Sequence, residues 1–401
     1  MKNALEGVNV LELSLLITIP LAGECLAACG ATVVKVETSV RPDPGRAYVP
    51  NAERKPGLNR CGFFAAFNAN KYSISLNLNH PKATEIAMKL VSWADIVLEN
   101  FSPGVVEKWG LDYDTLSRVK PELIMIRASS QGQRGPHAYH SGIGTMLQAL
   151  SGFTHLTGWP DRVPVGVSTA YTDFMGPWYT VSAAIGSLLY RQRTGKGQYL
   201  DLSQYEAGIS FLIPAILEYT ANGVVPRREG NRSPHGAPHG VYRCKGEDRW
   251  CAIGVFSDDE WKALSRVIGQ PWAEAPSLTT FSGRKDHEEE LDRLMETWTM
   301  NFPPEEVMKK LQEAGIRAGL VEDGRDLHSD RQLAHRHHFH YLNHPEMGVC
   351  AYDAPSFRFS KTPIQPSPAP CLGEHNEHVY TQLLGLSDEE FTQYLMEGVF
   401  E

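Results

Sequence analysis

The stretch Ser168–Trp178 (STAYTDFMGPW) holds the residue with the clearest chemical potential, Asp173. It falls between an extended-looking segment and a helix expected from Pro177 to Leu189, where Ala183, Ala184 and Gly186 leave room for close packing. A carboxylate near a helix N-terminus feels the positive end of the macrodipole and the unpaired amides of the first turn. Two readings fit: Asp173 caps the helix, or the same field keeps it ionised as a nucleophile. Spacing alone does not choose between them.

Other chemistries are less well supported. Gly142-Ile-Gly144 and Gly195-Lys-Gly197 carry Leu147 and Leu200 where a dinucleotide fingerprint needs its third glycine, and Thr194-Gly-Lys-Gly lacks the Walker spacing and the hydroxyl residue after lysine. His335, His337, His338, His340 and His344 cluster, but no H-E-x-x-H or helically spaced acidic ligand accompanies them, so they read as a solvated polar turn and no metal site is expected. No G-x-S-x-G elbow occurs. Cys25, Cys29, Cys61, Cys244, Cys251, Cys350 and Cys371 are odd in number and include no C-x-x-C pair, which points to reduced thiols rather than a disulfide framework or zinc ribbon.

The elements that must position Asp173 alternate in type. Strand-like Val8–Leu13, Ala31–Val36, Ser73–Leu78, Ile96–Leu98 and Leu123–Arg127 are interleaved with helical Pro20–Ala28, Pro81–Trp93 and Tyr113–Val119. Such alternation implies β-α-β units around a parallel sheet. A loop-rich stretch, Arg227–Gly240, opens a second region containing a strand at Trp250–Val255 and helices at Asp258–Ile268 and His287–Met300, closed by Gly319–Val321 and its flank. The expected fold is α/β: a large Rossmann-like parallel-sheet domain over 1–225, a smaller α+β domain over 226–325, and residues 326–401 returning to the large domain through a Pro-rich strap (Pro355–Pro370) and a last helix (Ser387–Glu397).

Composition bounds the function. A chain of 401 residues suits two domains. With 38 Lys and Arg against 47 Asp and Glu, the net charge of −9 and the absence of long basic runs argue against nucleic-acid and anionic-membrane partners. The apolar run Leu13–Ala22 is preceded by a single lysine, Lys2, offset by Glu6 and Glu12, so no export signal is expected. No apolar stretch approaches the roughly 18 residues of a membrane span. The expectation is a cytoplasmic protein.

An ordered set of short segments runs along the chain. Leu5-Glu-Gly-Val-Asn-Val-Leu-Glu-Leu, Gly30-Ala-Thr-Val-Val-Lys-Val-Glu37, Phe67-Asn-Ala-Asn-Lys71 and Ala94-Asp-Ile-Val-Leu-Glu-Asn-Phe-Ser-Pro-Gly104 come first. Gly110-Leu-Asp-Tyr-Asp, Ser130-Gln-Gly-Gln-Arg-Gly-Pro136, Gln148-Ala-Leu-Ser-Gly152, Thr157-Gly158, Thr194-Gly-Lys-Gly-Gln198 and Leu372-Gly-Glu-His375 follow. Each is short; together, in this order and over nearly the whole chain, they resemble the class III CoA-transferases of the formyl-CoA, carnitine and benzylsuccinate type.

The resemblance carries a role onto Asp173, which matches the catalytic aspartate in Tyr171-Thr-Asp173-Phe. It implies an acyl-CoA donor, an organic-acid acceptor, an aspartyl anhydride followed by an aspartyl-CoA thioester, and no permanently bound cofactor beyond CoA thioester as substrate. It further implies CoA contacts from Lys71, Asn100, Phe101, Lys108 and, with Arg46 beside it, Arg41. A loop over the active site is implied at Ser233–Gly240, with His235, Gly236, His239 and Gly240, as is an interlocked homodimer, with a heteromer containing a paralogue as the variant. Ile17 stands where formate-acting members carry glutamine, and Ile143 where the racemase branch places a histidine, with His140 out of register. These apolar replacements point to a larger, less polar acceptor than formate, and Ile143 points away from an α-methylacyl-CoA racemase or epimerase, which needs two bases. The overall resemblance, including Tyr171-Thr-Asp-Phe and Gly230-Asn-Arg, implies succinyl-CoA as donor and a benzylsuccinate-like acceptor, and the retained Asp173 argues against the other alternative, a non-catalytic partner subunit.

Overall fold

Six strands, β1 (Asn9–Leu13), β2 (Thr32–Glu37), β3 (Tyr72–Ser75), β4 (Ile96–Glu99), β5 (Ile124–Ser129) and β6 (Gln198–Ser203), pair in parallel in the order β3-β2-β1-β4-β5-β6. Their apolar residues alternate between two faces: Leu11, Val34, Val97 and Met125 enter one core, and Val10, Val33, Ile96 and Ile124 the other. A sheet that is apolar on both faces must be covered on both, which crossover helices accomplish. The first helix (Thr18–Ala28) and the long helix (Tyr171–Thr194) cover one face through Ile19, Leu26 and Ala184. Helix Ala83–Trp93 covers the other through Ile86, Leu90 and Val91. The computed structural model describes residues 3–140 and 142–401.

The chain clusters into two compact units. One comprises Met1–Thr154, Gly166–Val225 and Gln332–Glu401; the other comprises His155–Val165 and Pro226–Arg331. Composition does not mark off His155–Val165. Within the first unit the C-terminal segment seals the outer edge of β3, a row of backbone groups that would otherwise be open. Ser73 N donates to His375 Nδ1 at 3.2 Å, Ser75 N to Asn376 Oδ1 at 2.8 Å, and Tyr380 Oη to Ser75 O at 2.7 Å. Tyr380 and Phe400 stack at 3.9 Å over that edge, and the final helix Asp388–Met396 starts from a capping box between Ser387 and Glu390. Strands β7 (His239–Arg243), β8 (Trp250–Gly254) and β9 (Arg317–Leu320) of the second unit are antiparallel. They pack Tyr242, Cys251 and Ile253 against Trp261, Leu291, Met295 and Leu311 from its helices.

Three expectations shift. The helix placed at Pro177–Leu189 runs from Tyr171 to Thr194, so Asp173 lies inside its first turn rather than ahead of it. Pro177, inside the helix, has no N–H for the carbonyl of Asp173, a local loss that packing tolerates. His239 and Gly240 belong to β7 rather than to a loop, and His340 and His344 lie in β10 (Phe339–His344), paired with β11 (Gly348–Asp353), rather than in a polar turn. In both cases cross-strand pairing overrides loop-like composition. Among the described residues no helix is long and apolar enough to cross a membrane.

Charges occupy the carboxyl edge of the parallel sheet. Glu12 on β1 lies between Lys35 and Lys71, at 3.5 and 2.9 Å, all three with fully buried side chains. Lys35 also meets Asp43 at 3.1 Å. Burial opposes the charge on Lys35, but Asp43, Glu12 and Glu37 outweigh it and hold the ammonium above its ordinary value. For Lys71 burial outweighs Glu12 and lowers it. Removing one partner of such a group strands the others without water. Glu12→Gln is therefore expected to cost roughly 3 kcal/mol or more in chemical unfolding, whereas Lys82→Ala, which breaks the exposed pair with Glu397, costs less than about 1 kcal/mol.

Candidate active site

The long helix brings Asp173 to the first helix, and the contact is made by small residues. A Cβ on Gly176, one turn beyond Asp173, would stand 2.8 Å from Thr18 Cγ2; a Cβ on Gly144 would stand 2.7 Å from Asp173 Oδ2 and 2.5 Å from Ala170 Cβ. Glycine at both positions lets the carboxyl sit between helix Gly144–Leu150 and the first turn of Thr18–Ala28. Thr172 holds the same corner by donating its hydroxyl to Gly144 O at 3.3 Å, and Gln148 does so by donating Nε2 to Thr169 O. Phe67 meets Phe174 edge-on at 5.8 Å and adds an apolar wall.

The electrostatics of Asp173 are correspondingly simple. Burial pushes its carboxyl up to about 6, and the hydroxyl of Thr18, acting as hydrogen-bond donor, draws it partly back. No cation contributes. The same sheet edge treats its other carboxylates differently. Burial disfavours the charge of Asp43, but Lys35 and the N–H groups of Gly45 and Leu16 hold it below its usual value. Asp43 is a buried clamp, and Asp173 is a carboxylate with little to quench it, which suits nucleophilic attack.

The remaining residues singled out by sequence lie in differing settings. Arg41 and Lys108 are exposed, beyond the carboxyl ends of β2 and β4, and Phe101 follows β4, edge-on to Trp109 at 5.4 Å. Ligands of open parallel sheets bind at this edge, outside the point where strand order reverses between β1 and β4. Asn100 lies at that point, but its amide braces the β1 loop, accepting from Leu15 N at 2.9 Å and donating to Leu15 O at 2.8 Å. Lys71 is turned inward, donating to Pro20 O at 2.7 Å, Asn68 Oδ1 at 2.9 Å and Glu12, which leaves no donor presented to a phosphate. Arg46 is likewise buried on Glu37, with contacts of 2.9 and 2.7 Å, and lies 3.5 Å above the Phe64 ring. Ile17 is buried at the start of the first helix, whereas Ile143, just before Gly144, is 60% exposed.

His235, Gly236, His239 and Gly240 belong to the second unit. His239 Nδ1 lies 2.6 Å from Asn231 O, and a Cβ on Gly236 would meet the Phe256 ring at 3.1 Å. His239 and Gly240 line a cleft of about 710 Å³ with Arg232, Phe256 and Arg317. Among the described residues no three His, Cys, Asp or Glu side chains are grouped as metal ligands.

Sequence reasoning did not single out Thr18, Gly176, Lys35 or Asp43, and it met Gly144 and Glu12 only as part of a rejected glycine motif and as a charge near the N-terminus. Thr18 carries a signal only in retrospect, as one of two hydroxyl residues, with Ser14, in the otherwise apolar run Leu13–Ala22. The pairings of Glu12 with Lys35 and Lys71 join two strands and the residue just before a third, and leave no spacing to read.

Residues 5–376 match the model of CoA-transferase family III. The chain is 34% identical over 388 residues to a succinyl-CoA–D-citramalate CoA-transferase of Chloroflexus aurantiacus, covering 96% of this chain and 95% of the relative. It is 29% identical to the β subunit of a succinyl-CoA–L-malate CoA-transferase from the same organism, covering 96% and 95%. The crystal structure of a CAIB/BAIF family protein from Brucella suis superposes with a TM-score of 0.88 at 30% identity, over 96% of this chain and all of that one.

The environment of Asp173 makes a prediction independent of turnover. An acid whose pKa is raised by folding binds more protons folded than unfolded, so its contribution to stability falls as pH rises from about 4 through about 6. Asp173→Asn should match the wild-type unfolding free energy near pH 4 and exceed it by roughly 1–2 kcal/mol at pH 8. A constant difference across that range would contradict the desolvated carboxyl.

Proposed function

The chain belongs to CoA-transferase family III, and from that premise we propose that it moves CoA from succinyl-CoA to a second carboxylic acid through covalent intermediates on Asp173. The observation that carries the reading is the half-buried Asp173 carboxyl, raised to about 6 with no cation beside it. Such a group is ionised at neutral pH yet poorly solvated, the state in which a carboxylate attacks a thioester.

In the first step an Asp173 oxygen attacks the donor thioester carbon and CoA leaves as thiolate, giving a mixed anhydride. The thiolate then attacks Cγ of Asp173, and the donor acid leaves as carboxylate. An acceptor carboxylate attacks the resulting aspartyl-CoA thioester at Cγ and releases the thiolate again. The thiolate finally attacks the acceptor's acyl carbon, freeing Asp173 and acceptor-CoA. Thioester energy is conserved throughout, so no nucleotide triphosphate enters the balance. The apolar surround of Phe67, Phe174 and Gly144 supports a site that protects the anhydride from water.

For the acceptor, the relatives named for D-citramalate and L-malate support a short dicarboxylic acid. Exposed Ile143 beside Gly144 supports room for an apolar substituent, as in a benzylsuccinate-like acid. Proton abstraction of the racemase type finds less support, because burial and Thr18 alone set the titration of Asp173 and no histidine enters. Exposed Arg41 and Lys108 are the side chains assigned to the CoA phosphates. Self-association is supported by the apolar side chains left open on and beside helix Ile213–Asn222, with Phe211 at 52%, Leu217 at 58% and Tyr219 at 59% exposure. A monomeric mass in solution would remove that part of the reading.

With succinyl-CoA as donor, wild-type protein quenched during turnover should carry acyl or CoA label on Asp173 that hydroxylamine releases. Asp173→Ala should lose at least 1,000-fold in transfer rate, an order of magnitude typical of a lost nucleophile. The wild-type rate should rise with pH through about 6 and level off above it, since only the ionised carboxylate attacks. Label on another residue, or undiminished transfer by Asp173→Ala, would overturn the assignment.

A further inference from the structure

Every step proposed at Asp173 Cγ creates a tetrahedral adduct whose negative charge falls on the remaining Asp173 oxygen. What receives that charge is not specified by the nucleophile itself. We propose that the hydroxyl of Thr18 is the donor that stabilises it, so that Thr18 is a catalytic residue. The inference rests on the transferase reading above and adds the group that reading leaves unassigned.

Thr18 is 2% exposed, opens the helix Thr18–Ala28 and directs its methyl into the space left by Gly176, which fixes its side chain against the long helix one turn from Asp173. Among the described residues its hydroxyl is the group that offsets burial at the Asp173 carboxyl, and no charged side chain from the first helix, the long helix or helix Gly144–Leu150 contributes. A lone neutral donor in an apolar setting is worth more to a developing oxyanion than to a spread carboxylate, because charge concentrates on one oxygen in the adduct.

Thr18 is also held still. The loop before it carries Leu16 at φ 65°, a left-handed conformation that leucine rarely adopts. Side chains of three different segments clamp this loop. Asp43 accepts from Leu16 N at 3.0 Å, Asn100 bonds both the N–H and the carbonyl of Leu15, and Lys35 donates to Ser14 O at 2.9 Å. Lys71 grips Pro20 O on the other side at 2.7 Å. Strain of this kind persists only where the surroundings over-determine it, and here it fixes the entry into the helix at Thr18. A donor so held needs no reorganisation when charge appears.

The hydroxyl takes no part in covalent exchange. It donates to the carboxylate in the resting protein, to the carbonyl oxygen of the anhydride and thioester, and to the oxyanion between them. It therefore acts on the two attacks at Cγ and leaves substrate capture largely alone.

The test compares full-length wild type with Thr18→Val, Thr18→Ala and Thr18→Ser, using succinyl-CoA and a short dicarboxylic acceptor. Thr18→Val keeps the volume; Thr18→Ala removes the hydroxyl without any risk of overpacking. Both should lower kcat about 10- to 100-fold while KM for either substrate changes less than about threefold. Loss of a donor to the ionised form should also move the acid limb of the pH-rate profile upward from about 6. Thr18→Ser should restore both the rate and the limb, which a purely structural role would not do. If both hydroxyl-free variants turn over at the wild-type rate with an unmoved limb, while wild type still carries label on Asp173, Thr18 has no such role and the transferase reading survives. If wild type carries no label on Asp173, the transferase reading fails first and this inference with it.

Discussion

A carboxylate shut between two ammonium groups, Glu12 with Lys35 and Lys71, is the constraint on which the rest of the first unit is arranged. Each member would be intolerable alone inside the sheet edge, and together they are tolerable only if every remaining donor and acceptor finds a partner. The lysines satisfy that demand with main-chain carbonyls: Ser14 O for Lys35, Pro20 O and Phe67 O for Lys71. Charge neutralisation thereby becomes geometry. The ends of β1 and β2, the approach to β3 and the entry to the first helix are tied to one another by the same three side chains.

That tie gives the sheet edge two kinds of carboxylate. Glu12, Asp43 and Glu37 face cations, and their charge serves to hold loops in place. Asp173 faces a threonine hydroxyl and glycine, and its charge is left available. The distinction costs stability at Asp173, where a half-buried carboxylate lacks a counterion, and the compensation lies elsewhere, in the stacked C-terminal aromatics and the two cores that cover the sheet. A site of low stability on a rigid edge is the usual division between scaffold and chemistry.

Much of the scaffold was legible because its signals are local. Tyr113–Val119 and Asp258–Ile268 fall where their periodicity places them, and the strands lie within a few residues of the runs that announce them. Glycine and proline misled where packing overrides local preference. Pro177 suggested a helix start, but the helix begins six residues earlier because Thr172 and Gly176 pack against Gly144 and Thr18, contacts invisible along the chain. Gly240 read as loop, yet it pairs with Ile253 in β7 and β8. Lys71 and Asn100 were legible as polar residues in a CoA-transferase-like segment, but not in the use their donors find: a lysine beside Asn68 and a lysine beside a phosphate have the same sequence, and only burial against Glu12 separates them.

The amino-acid sequence by itself determined the alternation of strands and helices, the parallel sheet that follows from it, the family, and the candidacy of Asp173, since periodicity and ordered motifs are properties of the chain read in one dimension. Tertiary structure decided which carboxylates are neutralised, which lysines face inward, and that Thr18, distant in sequence, meets Asp173. The reason is electrostatic: a side chain's charge state and reach depend on who else is excluded from water with it, and that company is assembled only when separate strands and helices close over the same space.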